Sequence, residues 1–150
     1  MEFARNKRAY FDYEILDKFE AGIQLRGFEV KAIKSGRINL GGSYVIVKEN
    51  QAQLLNADIP PYQPMNTPEG YDSKRTRQLL LKKDEIKSLV GKVHEAGLTL
   101  VPLRVYSKRD LIKVEIGLAR SRKAKDKREL LKKRADLREI RSAKRKPAST

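Results

Sequence analysis

Between residues 110 and 119 the chain alternates. Ile112, Val114, Ile116 and Leu118 fall on one side, and Lys113, Glu115 and Gly117 on the other. A period of two marks a half-buried β-strand. A second strand over 98–106 precedes it, and Ser107, Lys108 and Arg109 turn between them, predicting a hairpin. Pro102 has no N–H to give a ladder, so an edge or a bulge is expected there. Upstream, the β-branched and aromatic run Tyr44-Val45-Ile46-Val47-Lys48 predicts a strand. Glu49, Asn50 and Gln51 form its turn, and residues 52–59 return as its partner. A more ragged alternation predicts one further strand over Tyr10–Leu25.

The period changes at Lys83. Ile86, Leu89, Val90 and Val93 recur at i, i+3, i+4 and i+7, which predicts an amphipathic helix over 83–96. Asp84 and Glu85 suit its positive N-terminal end, and Gly97 ends it. Gly91 inside the helix costs about 1 kcal/mol against Ala, so a close neighbour is expected there. A shorter helix is expected over Phe28–Lys34, with Val30 and Ile33 sharing a face and Gly36 as a left-handed stop. Residues 60–73 hold Pro60, Pro61, Pro64, Pro68 and Gly70, which predicts a long, partly extended loop. These elements add up to an α+β chain, mainly β with short helices. The expected form is a small antiparallel barrel of the oligonucleotide-binding type with two or three flanking helices, which the pattern alone does not separate from an open sheet covered by helices.

Charge divides the chain. The 150 residues carry 34 Lys and Arg against 19 Asp and Glu, a net charge of +15. Residues 119–150 alone hold 14 of the cations and 4 of the acids, two thirds of the surplus. Their only large aliphatic residues are Leu130, Leu131, Leu137 and Ile140, too few to enclose a core. Three parts are therefore expected: a flexible basic stretch over 1–9, a folded body over 10–120, and a basic tail over 121–150. The tail is expected to be disordered when free and to become helical on a polyanionic partner. Leu130, Leu137 and Ile140 would then share one side of a helix over 129–146, before Pro147. The alternative is a solvated tail that only aids solubility.

Catalytic chemistry finds little support. The chain has no Cys, so thiol nucleophiles, disulfides and Cys-based metal sites are excluded, and with one His a two-His metal site is excluded too. His94 sits one position off the apolar stripe of its helix and reads as a boundary residue. Gly41-Gly42-Ser43 lacks the Lys of a phosphate loop and reads as a bend. The longest apolar run, Tyr44–Val47, is four residues, which leaves no room for a membrane-spanning helix. No enzyme, cofactor, metal or small-molecule substrate is expected. A surplus of this size points to a polyanion partner, because each Lys or Arg set on a phosphate releases counterions. Lys74, Arg75 and Arg77 are either a solvated cluster or a phosphate clamp. Tyr10, Phe11 and Tyr13, beside Arg5, Lys7 and Arg8, are either core or a base-stacking surface.

Several segments, in order, resemble the small protein B family, the tmRNA-binding proteins of bacterial trans-translation. They are Asn6-Lys7-Arg8-Ala9, Phe19-Glu20-Ala21-Gly22-Ile23, Gly27-Phe28-Glu29-Val30-Lys31, Ser43-Tyr44 and Arg75-Thr76-Arg77-Gln78-Leu79-Leu80-Leu81. Leu100-Val101-Pro102-Leu103, Lys113 through Ala119 and Asp126-Lys127-Arg128 complete the set. The resemblance implies a barrel that grips the elbow of the tRNA-like domain of tmRNA, with Asn6, Glu20 and Leu80 in the RNA-contacting set. The basic residues Lys7, Arg8, Lys31, Arg75, Arg77 and Lys82 fill out the expected RNA site. It further implies a tail that enters the empty mRNA channel of a stalled ribosome and becomes helical there. Lys123, Lys125, Asp126, Lys127, Arg128, Lys132, Lys133, Arg134, Leu137 and Ile140 are its expected decoding-centre contacts. Lys125 stands where the family often has His or Tyr, Lys82 where it often has Asn or His, and the tail lacks the family's frequent Trp. A monomeric cytoplasmic adaptor follows as the expectation. The competing readings are a structural ribosomal protein with a basic extension and a DNA-compacting protein.

Overall fold

The structure is a computed structural model that describes residues 1–145, without the side chains of 95, 96 and 139–145. Its strands are β1 Glu2–Arg5, β2 Tyr13–Ile23, β3 Tyr44–Lys48, β4 Gln51–Leu55, β5 Arg77–Leu80, β6 Thr99–Lys108 and β7 Leu111–Ser121. Its helices are α1 Lys7–Asp12, α2 Gly27–Lys34, α3 Lys83–Ala96 and α4 Ala124–Arg145. All pairings are antiparallel, in the order β1-β6-β3-β4-β5-β2-β7, and β7 pairs back onto β6. That last pairing closes β6-β3-β4-β5-β2-β7 into a ring, the expected barrel, with β1 added outside it. Closure removes the sheet edges on which other chains could pair. Two tight turns hold the hairpins: Glu49 and Asn50 lie at φ 52° and 64°, and Arg109 and Asp110 at 52° and 62°. Left-handed pairs of this kind match the twist of the strands they join.

The inward sides of the strands make the core. Ala21, Ala52, Leu54, Val114 and Ile116 are fully buried there, and Ala32 and Ile33 of α2 and Leu89 of α3 close over them. The bulge at Pro102 does topological work. The register between β6 and β7 shifts between Pro102 and Arg104. Before the shift the free edge of β6 meets β3, at Leu100 and Val45, and beyond it meets β1. Asn6 plugs the bulge. Its N–H donates to the Leu103 carbonyl at 2.8 Å and its side-chain amide to the Pro102 carbonyl at 3.0 Å.

Four expectations need correction. Residues 1–9 do not trail free: β1 pairs with β6, and Asn6 then starts α1, its Oδ1 accepting the Ala9 N–H at 3.3 Å. A polar stretch reads as flexible, but here its polarity satisfies the barrel's own backbone. Tyr10 and Phe11 lie in α1, so the long strand starts only at Tyr13. β5 was hidden because Arg77, a charged residue, points inward. The first part of the basic tail runs as one unbroken helix from Ala124 to Arg145. No Gly or Pro interrupts residues 118–146, Ala, Leu, Lys, Arg and Glu dominate, and Asp126 accepts the Lys123 N–H at 3.3 Å at the start. Among the described residues no neighbour lies against Gly91.

Candidate RNA-binding face

Across the barrel wall, Leu80 of β5 pairs with Gly22 of β2, Gly22 with Lys113 of β7, and Lys113 with Tyr106 of β6. Directly paired residues share a face, so these four form one transverse row. The next row runs Glu20, Glu115, Arg104. Leu80 is 50% exposed, and so is Leu111, at 60%, on the outward register of β7. Gly22 makes room for Leu80: a Cβ there would stand 3.3 Å from the Leu80 Cβ. Leu80, Gly22, Val30 and Leu111 line a groove of about 240 Å³, and Glu20, Lys108, Arg109, Leu111 and Lys113 line a second of about 270 Å³. One face thus offers apolar surface beside cations.

Glu20 accepts a short hydrogen bond from the Tyr106 hydroxyl, and its other oxygen lies 3.5 Å from the Lys108 ammonium. The Tyr106 bond holds the Glu20 carboxyl below the usual range. Burial, with Glu20 beside it, pushes the Tyr106 phenol up. The Arg104 guanidinium covers the Tyr106 ring at 4.2 Å and also binds Glu115 at 3.2 Å.

Arg77 belongs elsewhere. It is fully buried, and so is Glu29 of α2. Arg77 donates to Glu29 at 2.9 Å, to the Ala57 carbonyl at 2.6 Å, and to the Tyr71 hydroxyl and Ser73 carbonyl at 3.0 and 2.9 Å. Glu29 also accepts from Arg75 and from the Arg26 N–H, the latter at 2.8 Å. Burial alone would raise the Glu29 carboxyl. The hydrogen bonds from Arg75, Arg26 and Arg77, with the charge of Arg77, hold it at about 2 instead. Arg77 is therefore no phosphate ligand, and Arg75 is largely committed; together they tie the Pro-rich loop and β5 to α2. Asn6 is likewise engaged inside the fold. It sits beside Pro102, four residues along β6 from Tyr106, or about 13 Å from the Leu80 row at the usual strand rise. Lys7 and Arg8 are exposed at that far end, with Arg8 3.1 Å from Asp12, whereas exposed Lys82 lies two residues beyond Leu80. Lys31 is exposed on α2.

The root of α4 sits at the far end too. Lys127 binds Asp12 at 3.3 Å, and Lys127 and Arg134 each lie 5.9 Å from the Phe11 ring. Phe11 therefore serves as a helix-docking residue rather than a free stacking surface. A cleft of about 650 Å³ opens between this root and the barrel, walled by Arg120, Arg122, Lys123, Lys125 and Lys133 together with Glu14. Asp126 caps the helix start. Arg128, Lys132 and Lys133 are exposed, as are Leu131 and Leu137, while the side chain of Ile140 lies outside the described residues.

Sequence reasoning missed Lys108, Arg109 and Leu111. The legible signal was Leu111 itself, an apolar residue on the register otherwise occupied by Lys113 and Glu115.

A closed antiparallel barrel, with cations and bare apolar side chains on one wall and a basic helical arm, defines an oligonucleotide-binding-type nucleic-acid-binding protein. The family model for SmpB protein matches residues 3–146. The SsrA-binding protein of Trichodesmium erythraeum is 47% identical over 138 residues, 92% of this chain and 88% of that protein. That of Cupriavidus necator is 50% identical over 134 residues, 89% of each. A solved chain from "tmRNA-SmpB: a journey to the center of the bacterial ribosome" matches with a TM-score of 0.67 at 42% identity, covering 85% of this chain and 93% of that one. The chain belongs to the SmpB family.

Proposed function

We propose that the chain is a non-catalytic cytoplasmic adaptor that binds the tRNA-like domain of tmRNA and brings it to stalled ribosomes for trans-translation. The observation that carries this is the division of the molecule. The Leu80 row faces outward on a rigid barrel, and a helix leaves the opposite end within residues 119–150, which hold two thirds of the charge surplus. Folded RNA is recognised by phosphates, 2′-hydroxyls and the unstacked bases of its loops. Leu80 supplies apolar contact to such bases, and Lys82 and Lys31 supply charge. Lys7 and Arg8 work at the far end with the root of the arm. Lys123, Lys125, Arg128, Lys132 and Lys133 then lie along ribosomal RNA, with Leu137 as an apolar contact. SsrA-binding proteins with matching length and close sequence support the same partners.

The decisive experiment sequences the RNA that co-purifies with the tagged chain from cells and tracks the chain through a sucrose gradient. Strong enrichment of tmRNA, and presence on ribosomes that rises when stalling is induced, is the expected result. Equal residence in every subunit with no tmRNA enrichment would instead make it a structural ribosomal protein. Leu80→Asp places a carboxylate against phosphates and should lower affinity for the tRNA-like domain at least about tenfold, ~1.4 kcal/mol, with an intact fold. Gly22→Ala should act more weakly in the same direction, because the new Cβ displaces Leu80. Unchanged affinity in both variants removes this row from the site.

A further inference from the structure

A carboxylate at the centre of an RNA-binding face needs an explanation, since it repels phosphate. Both oxygens of Glu20 are engaged within the protein: one accepts from the Tyr106 hydroxyl, and the other lies 3.5 Å from Lys108. Tyr106 is pinned in turn under Arg104. Glu20 thus fixes the end of the β6–β7 hairpin from the side. The hairpin's own turn is a tight left-handed pair, Arg109 and Asp110, which holds Arg109 at the tip. Leu111, just past the turn and mostly exposed, walls both grooves, the apolar one shared with Leu80 and the charged one shared with Lys108 and Arg109. Accordingly Lys108, Arg109 and Leu111 form a rigid lip along the Leu80 row, with apolar surface facing the row and cations at its outer edge.

We propose that this hairpin tip is the second jaw of the RNA site, and that Glu20 is a positioning residue for it rather than an RNA contact. Leu111 and Leu80 press on unstacked loop bases, while Lys108 and Arg109 meet the backbone phosphates on either side. This rests on the adaptor reading above, and its test separates the two. The affinity of the full chain for the tRNA-like domain of tmRNA is measured across a salt series, with folding checked by thermal melts. Lys108→Ala and Arg109→Ala should each lower affinity roughly fivefold and flatten the slope of log affinity against log salt by about 0.7–0.9, one phosphate contact each. Leu111→Ser should lower affinity to a similar extent and leave the slope unchanged. Tyr106→Phe removes only the hydroxyl that holds Glu20, and should reproduce much of the loss seen in Glu20→Gln. Wild-type affinity and slope in the three hairpin variants overturn the second jaw. A loss in Glu20→Gln with none in Tyr106→Phe makes Glu20 a direct RNA contact and overturns its positioning role. If the unaltered chain binds duplex DNA of equal length as tightly as the RNA, the adaptor reading falls and this proposal falls with it.

Discussion

Glu29→Ala should lower folding stability by about 3–5 kcal/mol, because it strands the charge of Arg77 in the interior. The argument starts from burial. Arg77 has no exposed surface, and its guanidinium is spent on Glu29, Ala57, Tyr71 and Ser73. Without the carboxylate, the carbonyls and the phenol still accept, but nothing neutralises the cation. Domains are stable by only about 5–15 kcal/mol, so the melting temperature should fall by roughly 10 °C or more. Arg75→Ala should cost much less, since Arg75 is partly exposed and Glu29 keeps Arg77. Urea melts of the two variants make the comparison. A loss under about 1 kcal/mol for Glu29→Ala would mean that water, not the carboxylate, satisfies Arg77.

The same group sets a pH window. Its folded value of about 2 lies below the ordinary 4.5. A carboxylate depressed in this way stabilises the fold fully above its ordinary value. That contribution, about 3 kcal/mol at most, is lost as pH falls from there toward the folded value. Glu29→Gln should therefore flatten the acid side of the stability curve over that interval. An unaltered acid limb would assign the loss to other carboxylates.

Glu29 also shows why part of the fold escaped the sequence. Period delivered α3 and the two hairpins, because there the burial pattern follows apolarity, while proline chemistry delivered the long loop and an edge or a bulge at Pro102. Arg77 breaks that rule. A buried cation reads as a surface cation until its partner, 48 residues away, is known. With Arg77 misread, β5 went unpredicted, and Lys74, Arg75 and Arg77 stood open between a solvated cluster and a phosphate clamp. Asn6 misled in the same manner, since its hydrogen bonds run to a bulge 96 residues distant. The candidate RNA face was half legible. Leu80 and Glu20 were reached through family resemblance, whereas their adjacency to Lys113 and Leu111 depends on strand register, which no local pattern encodes.

A chain ending at Arg122 should bind the tRNA-like domain within about threefold of the full chain at physiological salt, yet fail to support peptide tagging on stalled ribosomes. Such a cut keeps all of β7 and the Arg122 N–H bond to the Asp12 carbonyl at 2.9 Å, so the barrel stays closed. Asp12 loses Lys127 but keeps Arg8, and Phe11 keeps Arg8 at 5.6 Å. What leaves with α4 is charge. Residues 123–150 carry 12 of the 34 cations and 4 of the 19 acids, so the net charge falls by 8. On a folded RNA held at the Leu80 row, these cations lie past the end of β7, eight residues from Lys113 to Ser121 or about 26 Å along the strand, beyond the roughly 8 Å screening length of physiological salt, and contribute little. On the ribosome the balance reverses. A helix of 22 residues reaches about 33 Å from its root, far enough to lay its exposed cations along an RNA-walled channel. Affinity of the shortened chain for the tRNA-like domain, and tagging in a reconstituted translation reaction, separate the two roles. Loss of RNA binding, or tagging at the full rate, would mean that barrel and arm do not divide the work in this way.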